Sequence, residues 1–173
     1  DVKTSDWFYK DVEYVFDKNI MQGTGTATFA PDVTATRAMI VTMLYRLENE
    51  PAVSGTNPFD DVPDGQWYTK AIIWAQRNKI VAGYSETTFG PDDEISREQM
   101  AAILYRYAKY KSYDGNKSAD LSKFTDRANI SDWATTAMSW AVAEGLIQGI
   151  GDNILSPNTG ATRAQVAAIF HRF

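Results

Sequence analysis

The chain has no cysteine, which excludes a disulfide framework and any thiolate metal site. It has a single histidine, His171, so a Ser/His/Asp set has almost nothing to draw on. A glycine-rich phosphate loop ending in Lys-Ser or Lys-Thr is also missing. No run approaches the roughly 18 apolar residues of a membrane-spanning helix, and no charged-then-apolar segment opens the chain. Membrane insertion is therefore not expected. Positive charge is in deficit, with 17 Lys and Arg against 22 Asp and Glu and a net charge of −5. Without a basic face there is no general electrostatic hold on nucleic acid or anionic lipid. Any anion must be caught in a local pocket, and nothing in these residues asks for a cofactor.

What the 173 residues do contain is an ordinary globular composition, 44% hydrophobic and 23% charged, long enough to bury a core. A repeat organises it. A shift of 60 lays Trp7 on Trp67, Tyr14 on Trp74, Ile20 on Ile80, Gly23 on Gly83, Pro31 on Pro91 and Arg37 on Arg97. A further shift of 66 lays Trp67 on Trp133, Trp74 on Trp140, Gly83 on Gly149, Pro91 on Pro157 and Arg97 on Arg163. All five tryptophans fall on two repeat positions, a coincidence that composition alone rarely produces. The copies span 1–47, 59–108 and 124–173, and the unmatched stretches 48–58 and 109–123 read as linkers.

Each copy reads as helix, loop, helix. Trp67, Ala71, Trp74 and Ala75 form the stripe of an amphipathic helix from about Trp67 to Asn78, repeated by Trp133, Ala137, Trp140 and Ala141. Copy one carries Asp11 in place of the first alanine, so its helix packs differently there. Gly23, Gly83 and Gly149 follow, permitting a tight turn and letting a ligand approach the backbone. Pro31, Pro91 and Pro157 hold a rigid loop. Thr36, Ser96 and Thr162 then cap a second helix, with Gln99 and Gln165 completing capping boxes that Met39 cannot complete. The expected fold class is mostly all-α, three tandem helix-loop-helix units around a pseudo-threefold axis.

Arg37, Arg97 and Arg163 sit directly after these caps. A cation in the first turn opposes the helix dipole at a cost of about a few tenths to 1 kcal/mol, yet all three copies keep it. Unpaired first-turn amides beside an arginine fork would make an anion pocket in each copy. The same arginines could instead pair with carboxylates of the fold such as Asp61. Trp74, Trp140 and Tyr14 read as core. Trp7, Trp67 and Trp133 begin their helices after polar loops and could offer a ring face to a sugar or pack inward. His171 aligns with Tyr45 and Tyr105 and reads as an ordinary helix side chain. Carboxylates are plentiful enough to leave a glycosidase pair open by composition. An active site is normally single, however, and every notable residue here is triplicated, so no enzyme is expected. The alternation Asp114, Asn116, Ser118, Asp120 lacks a calcium loop's sixth-position glycine and twelfth-position glutamate, with Ala119 and Thr125 there, and reads as linker.

The order Asp61-Val62, Trp67-Tyr68, Ala71-Ile72, Ile80-Val81-x-Gly83, Phe89-x-Pro91 and Ser96-Arg97-Glu98-Gln99 resembles the S-layer homology domain, with three copies making its usual triplet. The family's Thr-Arg-Ala-Glu motif stands here as Thr36-Arg37-Ala38-Met39, Ser96-Arg97-Glu98-Gln99 and Thr162-Arg163-Ala164-Gln165, each departing from the glutamate. The resemblance implies a three-pronged helical module at the bacterial cell surface, monomeric by itself and part of a larger surface protein. It also implies non-covalent binding of a secondary cell-wall polymer bearing pyruvate ketals on N-acetylmannosamine. Arg37, Arg97 and Arg163 match the family's motif arginine, and Trp7, Trp67, Trp133, Gly23, Gly83 and Gly149 match residues of its inter-repeat grooves. Asp1 and Asp61 match its leading aspartate, and Asp126 does so with one extra residue before Trp133, which predicts a weaker third-copy groove. Gln99 and Gln165 add no negative charge near a bound carboxylate. Met39 does not help in this way, so the groove using Arg37 is expected to suffer most. A protein-interaction module of a surface-layer assembly is the alternative.

Overall fold

The computed structural model describes residues 1–173 as six helices with no sheet. They are α1 (Tyr9–Asp17), α2 (Arg37–Leu47), α3 (Thr69–Arg77), α4 (Arg97–Tyr110), α5 (Thr135–Ala143) and α6 (Arg163–Arg172), with two 3-10 turns at Arg127–Asn129 and Asp132–Ala134. The even-numbered helices begin at their caps. Ser96 and Thr162 accept the amides of Gln99 and Gln165, whose side chains accept the Ser96 and Thr162 amides in return. Thr36 accepts only from Met39, at 3.4 Å.

The odd-numbered helices start later than the apolar stripe suggests. Thr69 explains this for α3: its hydroxyl donates to the Pro63 carbonyl and accepts the Gln66 amide, closing a separate turn that leaves Trp67 outside. At the other end Asn19, Lys79 and Gly145 take left-handed backbone (φ 55°, 59° and 72°) and stop the helix.

The three copies close into a ring. At the axis Ala35 donates to Ala161, Ala161 to Ile95 and Ile95 to Ala35 through backbone bonds of 2.9, 3.0 and 2.9 Å. These three residues occupy one repeat position, and all are fully buried. Helices pack between copies: α2 on α3, α4 on α5 and α6 on α1. Each prong therefore joins the second helix of one copy to the first helix of the next, and no copy buries its own stripes alone. The ring contacts follow the same order, Tyr45 tilted against Trp74, Tyr105 tilted against Trp140 and His171 stacked on Tyr14. Only the α6–α1 closure adds a hydrogen bond, between His171 Nδ1 and Asp11 Oδ1 at 2.7 Å, which accounts for the aspartate in copy one. The core runs continuously through all three prongs, with Ile40, Leu44, Ile72, Met100, Leu104 and Met138 fully enclosed.

The linkers lie against the helices. Tyr45 donates to the Pro51 carbonyl, and Ser139 and Trp140 donate to the carbonyls of Ala119 and Asp114. Helix α4 continues to Tyr110, two residues into the segment 109–123. The extra residue before Trp133 is absorbed by the two 3-10 turns, where buried Glu98 accepts both the amide and the hydroxyl of Ser131.

Candidate functional site

The loops between helices carry the site. Asp1 accepts the amides of Phe29 and Ala30, Asp61 those of Phe89 and Gly90, and Asp126 those of Leu155 and Ser156, all between 2.6 and 2.9 Å. The second residue of each pair has left-handed backbone: Ala30 (φ 58°), Gly90 (φ 71°) and Ser156 (φ 52°). A carboxylate clamping two successive amides holds this strained corner. Burial pushes the Asp126 carboxyl up, but the Leu155 and Ser156 amides and nearby Arg97 outweigh it and leave it below the usual aspartate range. The three aspartates line none of the grooves described below; they shape the loops behind them. Asp126 matches the other two despite its extra residue.

The corner fixes a carbonyl that an arginine from another copy grips. Nε of Arg37 donates to Phe89 O, that of Arg97 to Leu155 O and that of Arg163 to Phe29 O, at 3.0, 2.8 and 2.7 Å. One terminal nitrogen of each donates to Ala82 O, Gln148 O or Gln22 O, just before the turn glycine. Arg37, Arg97 and Arg163 are buried residues, 3–5% exposed overall, and burial lowers the pKa of all three. None belongs to an ion pair; those present are Arg46–Glu50, Lys111–Glu48, Lys117–Glu144 and His171–Asp11. The second terminal nitrogen is free in Arg37 and Arg97, and in Arg163 it lies 3.7 Å from Met39 Sδ.

The alternative pairing of the arginines with carboxylates of the fold, Asp61 for example, is not what their forks do: they bond backbone carbonyls. The expected free helix amides are absent too. The amides of Arg37 and Ala38 donate to Asp93 and Pro91, those of Arg97 and Glu98 to Thr159 and Pro157, and those of Arg163 and Ala164 to Val33 and Pro31. The third amide of each helix goes to the cap side chain. Each N-terminus is consumed in docking onto the next copy, so the anion-attracting group is the arginine side chain alone.

Three grooves result, each assembled from all three copies. The first, of about 370 Å3, joins the Gln22-Gly23 turn and α2 of copy one to Trp67 of copy two and Arg163 of copy three. The second, of about 160 Å3, joins the Ala82-Gly83 turn and α4 to Trp133 and Arg37. The third, of about 370 Å3, joins the Gln148-Gly149 turn and α6 to Trp7 and Arg97. Tyr84 stands in the second groove where Thr24 and Ile150 stand in the others, with the Arg37 guanidinium 4.4 Å from its ring centre. That ring accounts for the smaller volume.

Trp7, Trp67 and Trp133 are 65%, 57% and 57% exposed, each presenting an aromatic wall. Gln99 and Gln165 line the second and third grooves; their carbonyl oxygens are spent on the caps, leaving the amide NH2 as a donor. Met39 lines the first groove with Arg163, not the groove of Arg37. The motif's first-turn residues therefore face different grooves, and the expectation that Met39 weakens the Arg37 groove is corrected. Two of the turn glycines are required by close approach: a Cβ at Gly23 would stand 2.7 Å from Thr28 O, and one at Gly83 would collide with Thr88 O and the Phe59 ring, whereas one at Gly149 would meet Ile154 O at 3.1 Å.

Sequence reasoning passed over Arg46, Arg106 and Arg172, which line the first, second and third grooves. The same shifts of 60 and 66 superpose them, so the repeat held the signal. Each groove thus has two arginines and no carboxylate in its lining, in a chain of net charge −5. At Arg37 the charge of Arg106 adds to the effect of burial. In the linker, Asp114 and Asp120 turn onto the amides of Asn116 and Ser122.

A family model described as S-layer homology domain matches residues 1–38, 58–101 and 123–167. The chain is 32% identical over 99% of its length to an amylopullulanase of Thermoanaerobacterium thermosulfurigenes, of which it covers 9%. It is 33% identical over 99% of its length to exoglucanase XynX of Acetivibrio thermocellus, covering 16% of that protein. It is 31% identical over 98% of its length to the surface-layer 125 kDa protein of Lysinibacillus sphaericus, covering 14%. The chain spans no more than about a sixth of the length of these curated relatives.

Proposed function

From the premise that this chain belongs to the S-layer homology family, as a triplet of its repeats, we propose that it anchors a larger protein to the bacterial cell wall by binding a pyruvylated secondary wall polysaccharide in its three grooves. The family's presence in S-layer and cell-surface proteins accords with a location outside the cell, at the wall. The enzyme names among the relatives belong to proteins matched over only this segment; they assign no catalysis to it.

The observation that carries the reading is the electrostatics of the grooves. Each holds a buried guanidinium without a carboxylate partner, a second arginine, and an exposed tryptophan, inside an acidic chain. A carboxylate about 4 Å from one such cation gains roughly 4 kcal/mol at an effective dielectric of about 20. Part of that gain offsets the desolvation of both ions. The free arginine nitrogen receives the ketal carboxylate, the glutamine amides donate to sugar oxygens in two grooves, and the tryptophan ring takes an apolar sugar face. The backbone bonds that fix each arginine leave little side-chain entropy to lose on binding.

Isothermal titration with pyruvylated and depyruvylated wall polymer tests this. Binding of the first and not the second is the expected result. Equal binding would remove the ketal from the account, and binding to neither, with retained binding to a surface-layer protein, would replace the glycan with a protein partner.

A further inference from the structure

Thr42 breaks the threefold pattern of the grooves. It lies on α2 where Ala102 and Ala168 lie on α4 and α6, and all three line their grooves. Threonine is the poorer helix former at such a position, because its branched Cβ loses rotamer freedom. A threonine inside a helix ordinarily returns its hydroxyl to a carbonyl one turn back. Thr42 does not: it is 4% exposed, and its Oγ1 is the one buried side-chain polar atom in the protein with no hydrogen-bond partner. The residue thus weakens its own helix twice over, by propensity and by an unsatisfied hydroxyl. Local costs of this kind mark functional positions.

Its neighbours say what it faces. Met39, Thr42, Met43 and Arg46 share one face of α2 by their spacing of three and four, and all four line the first groove. Arg163 reaches the same face, its terminal nitrogen 3.7 Å from Met39 Sδ. Arg163, Arg46 and Thr42 therefore line one groove together. The methionines bordering the hydroxyl are unbranched and adaptable, able to shift aside for a ligand group.

We propose that Thr42 gives the first groove a specificity of its own, its hydroxyl donating to an oxygen of the bound sugar in a contact that Ala102 and Ala168 cannot make. This rests on the glycan-anchoring reading. The anion is shared chemistry of all three grooves; the additional hydrogen bond belongs to one.

The test uses the whole chain, with the indole N–H resonances of Trp67, Trp133 and Trp7 as reporters of the first, second and third grooves during titration with pyruvylated wall-polymer fragments. Thr42→Val should weaken the Trp67 titration about threefold to tenfold, the loss of one neutral hydrogen bond, and leave Trp7 and Trp133 unchanged. Thr42→Ser should restore it. The melting temperature of Thr42→Val should equal or exceed that of the parent, since valine removes an unsatisfied buried hydroxyl. An unchanged Trp67 titration in Thr42→Val, while the parent binds, overturns the role of Thr42 alone. Failure of every indole to respond in the parent overturns the anchoring reading, and this proposal with it.

Discussion

Replacing Asp61 with alanine probes the device on which the second groove is built. Its carboxylate accepts the amides of Phe89 and Gly90 at 2.8 and 2.6 Å, and the Phe89 side chain beside them is fully buried. Removing the acceptor leaves two amides unpaired at a left-handed corner. Each costs about 1–3 kcal/mol when solvent cannot replace the bond. Asp61 is itself only partly buried, so water recovers some of the loss, and about 2–4 kcal/mol of destabilisation is expected. At roughly 2–4 °C per kcal/mol for a domain of this size, the melting temperature should fall by about 4–16 °C. Asp61→Asn, which retains one accepting oxygen, should fall by about half as much. Thermal and urea unfolding followed by circular dichroism measure both variants. The loop also carries the Phe89 carbonyl that Arg37 grips, so binding in the second groove should weaken more than in the other two. A loss under about 0.5 kcal/mol, the ordinary range for a surface substitution, would refute the assignment of Asp61 as the clamp of this corner.

Three further outcomes follow from the same geometry. Gly83→Ala should destabilise by about 1–3 kcal/mol through overpacking against Thr88 and Phe59. Gly149→Ala should cost less in the same unfolding assay, because its Cβ would stand 3.1 Å from Ile154 O, its nearest neighbour. The folded-state pKa of Asp126 lies below its ordinary value, so its stabilisation is present above the unfolded aspartate pKa of about 3.9 and disappears as pH falls through the folded value. Denaturation of the parent and Asp126→Asn from pH 7 downward should therefore show a stability difference that shrinks in acid. Arg106→Gln removes an exposed charge with no hydrogen bond to the fold. It should leave the melting temperature within about 0.5 kcal/mol of the parent's stability while lowering affinity at the second groove, read by calorimetry and by a weaker salt dependence.

Much of this architecture was legible because repetition makes local signals cumulative. The caps at Thr36, Ser96 and Thr162, the turn glycines and the buried Trp74 and Trp140 all declare themselves through short-range chemistry. What spacing could not reveal was the cyclic exchange between copies. Nothing local to Arg37 says that its fork will grip carbonyls of copy two, or that its own first-turn amides will be consumed by Asp93 and Pro91. The leading aspartates Asp1, Asp61 and Asp126 enter the candidate site only through the family resemblance, whereas their carboxylates cap loops 28 to 30 residues away. Met39 and Arg37 stand two positions apart on one helix, so they point to different sides and serve different grooves. The second arginines, Arg46, Arg106 and Arg172, were visible in the alignment of the copies. They stand toward the far end of each helix, away from the caps, so only the register of the copies marks them.

The grooves also give an acidic protein three local cationic sites. Charge is segregated: no carboxylate lines any of the three grooves, and of the arginines only Arg77 and Arg127 lie outside them. Net charge then describes solubility, and the local field describes binding.

A crystal structure of the complex with a pyruvylated N-acetylmannosamine fragment would locate the carboxylate itself. The ketal carboxylate is expected in the two larger grooves, on the free terminal nitrogen of Arg97 and on the Arg163 nitrogen that now faces Met39 Sδ, with the sugar against Trp67 and Trp7. Ligand bound elsewhere on the surface, with both grooves empty, would contradict this.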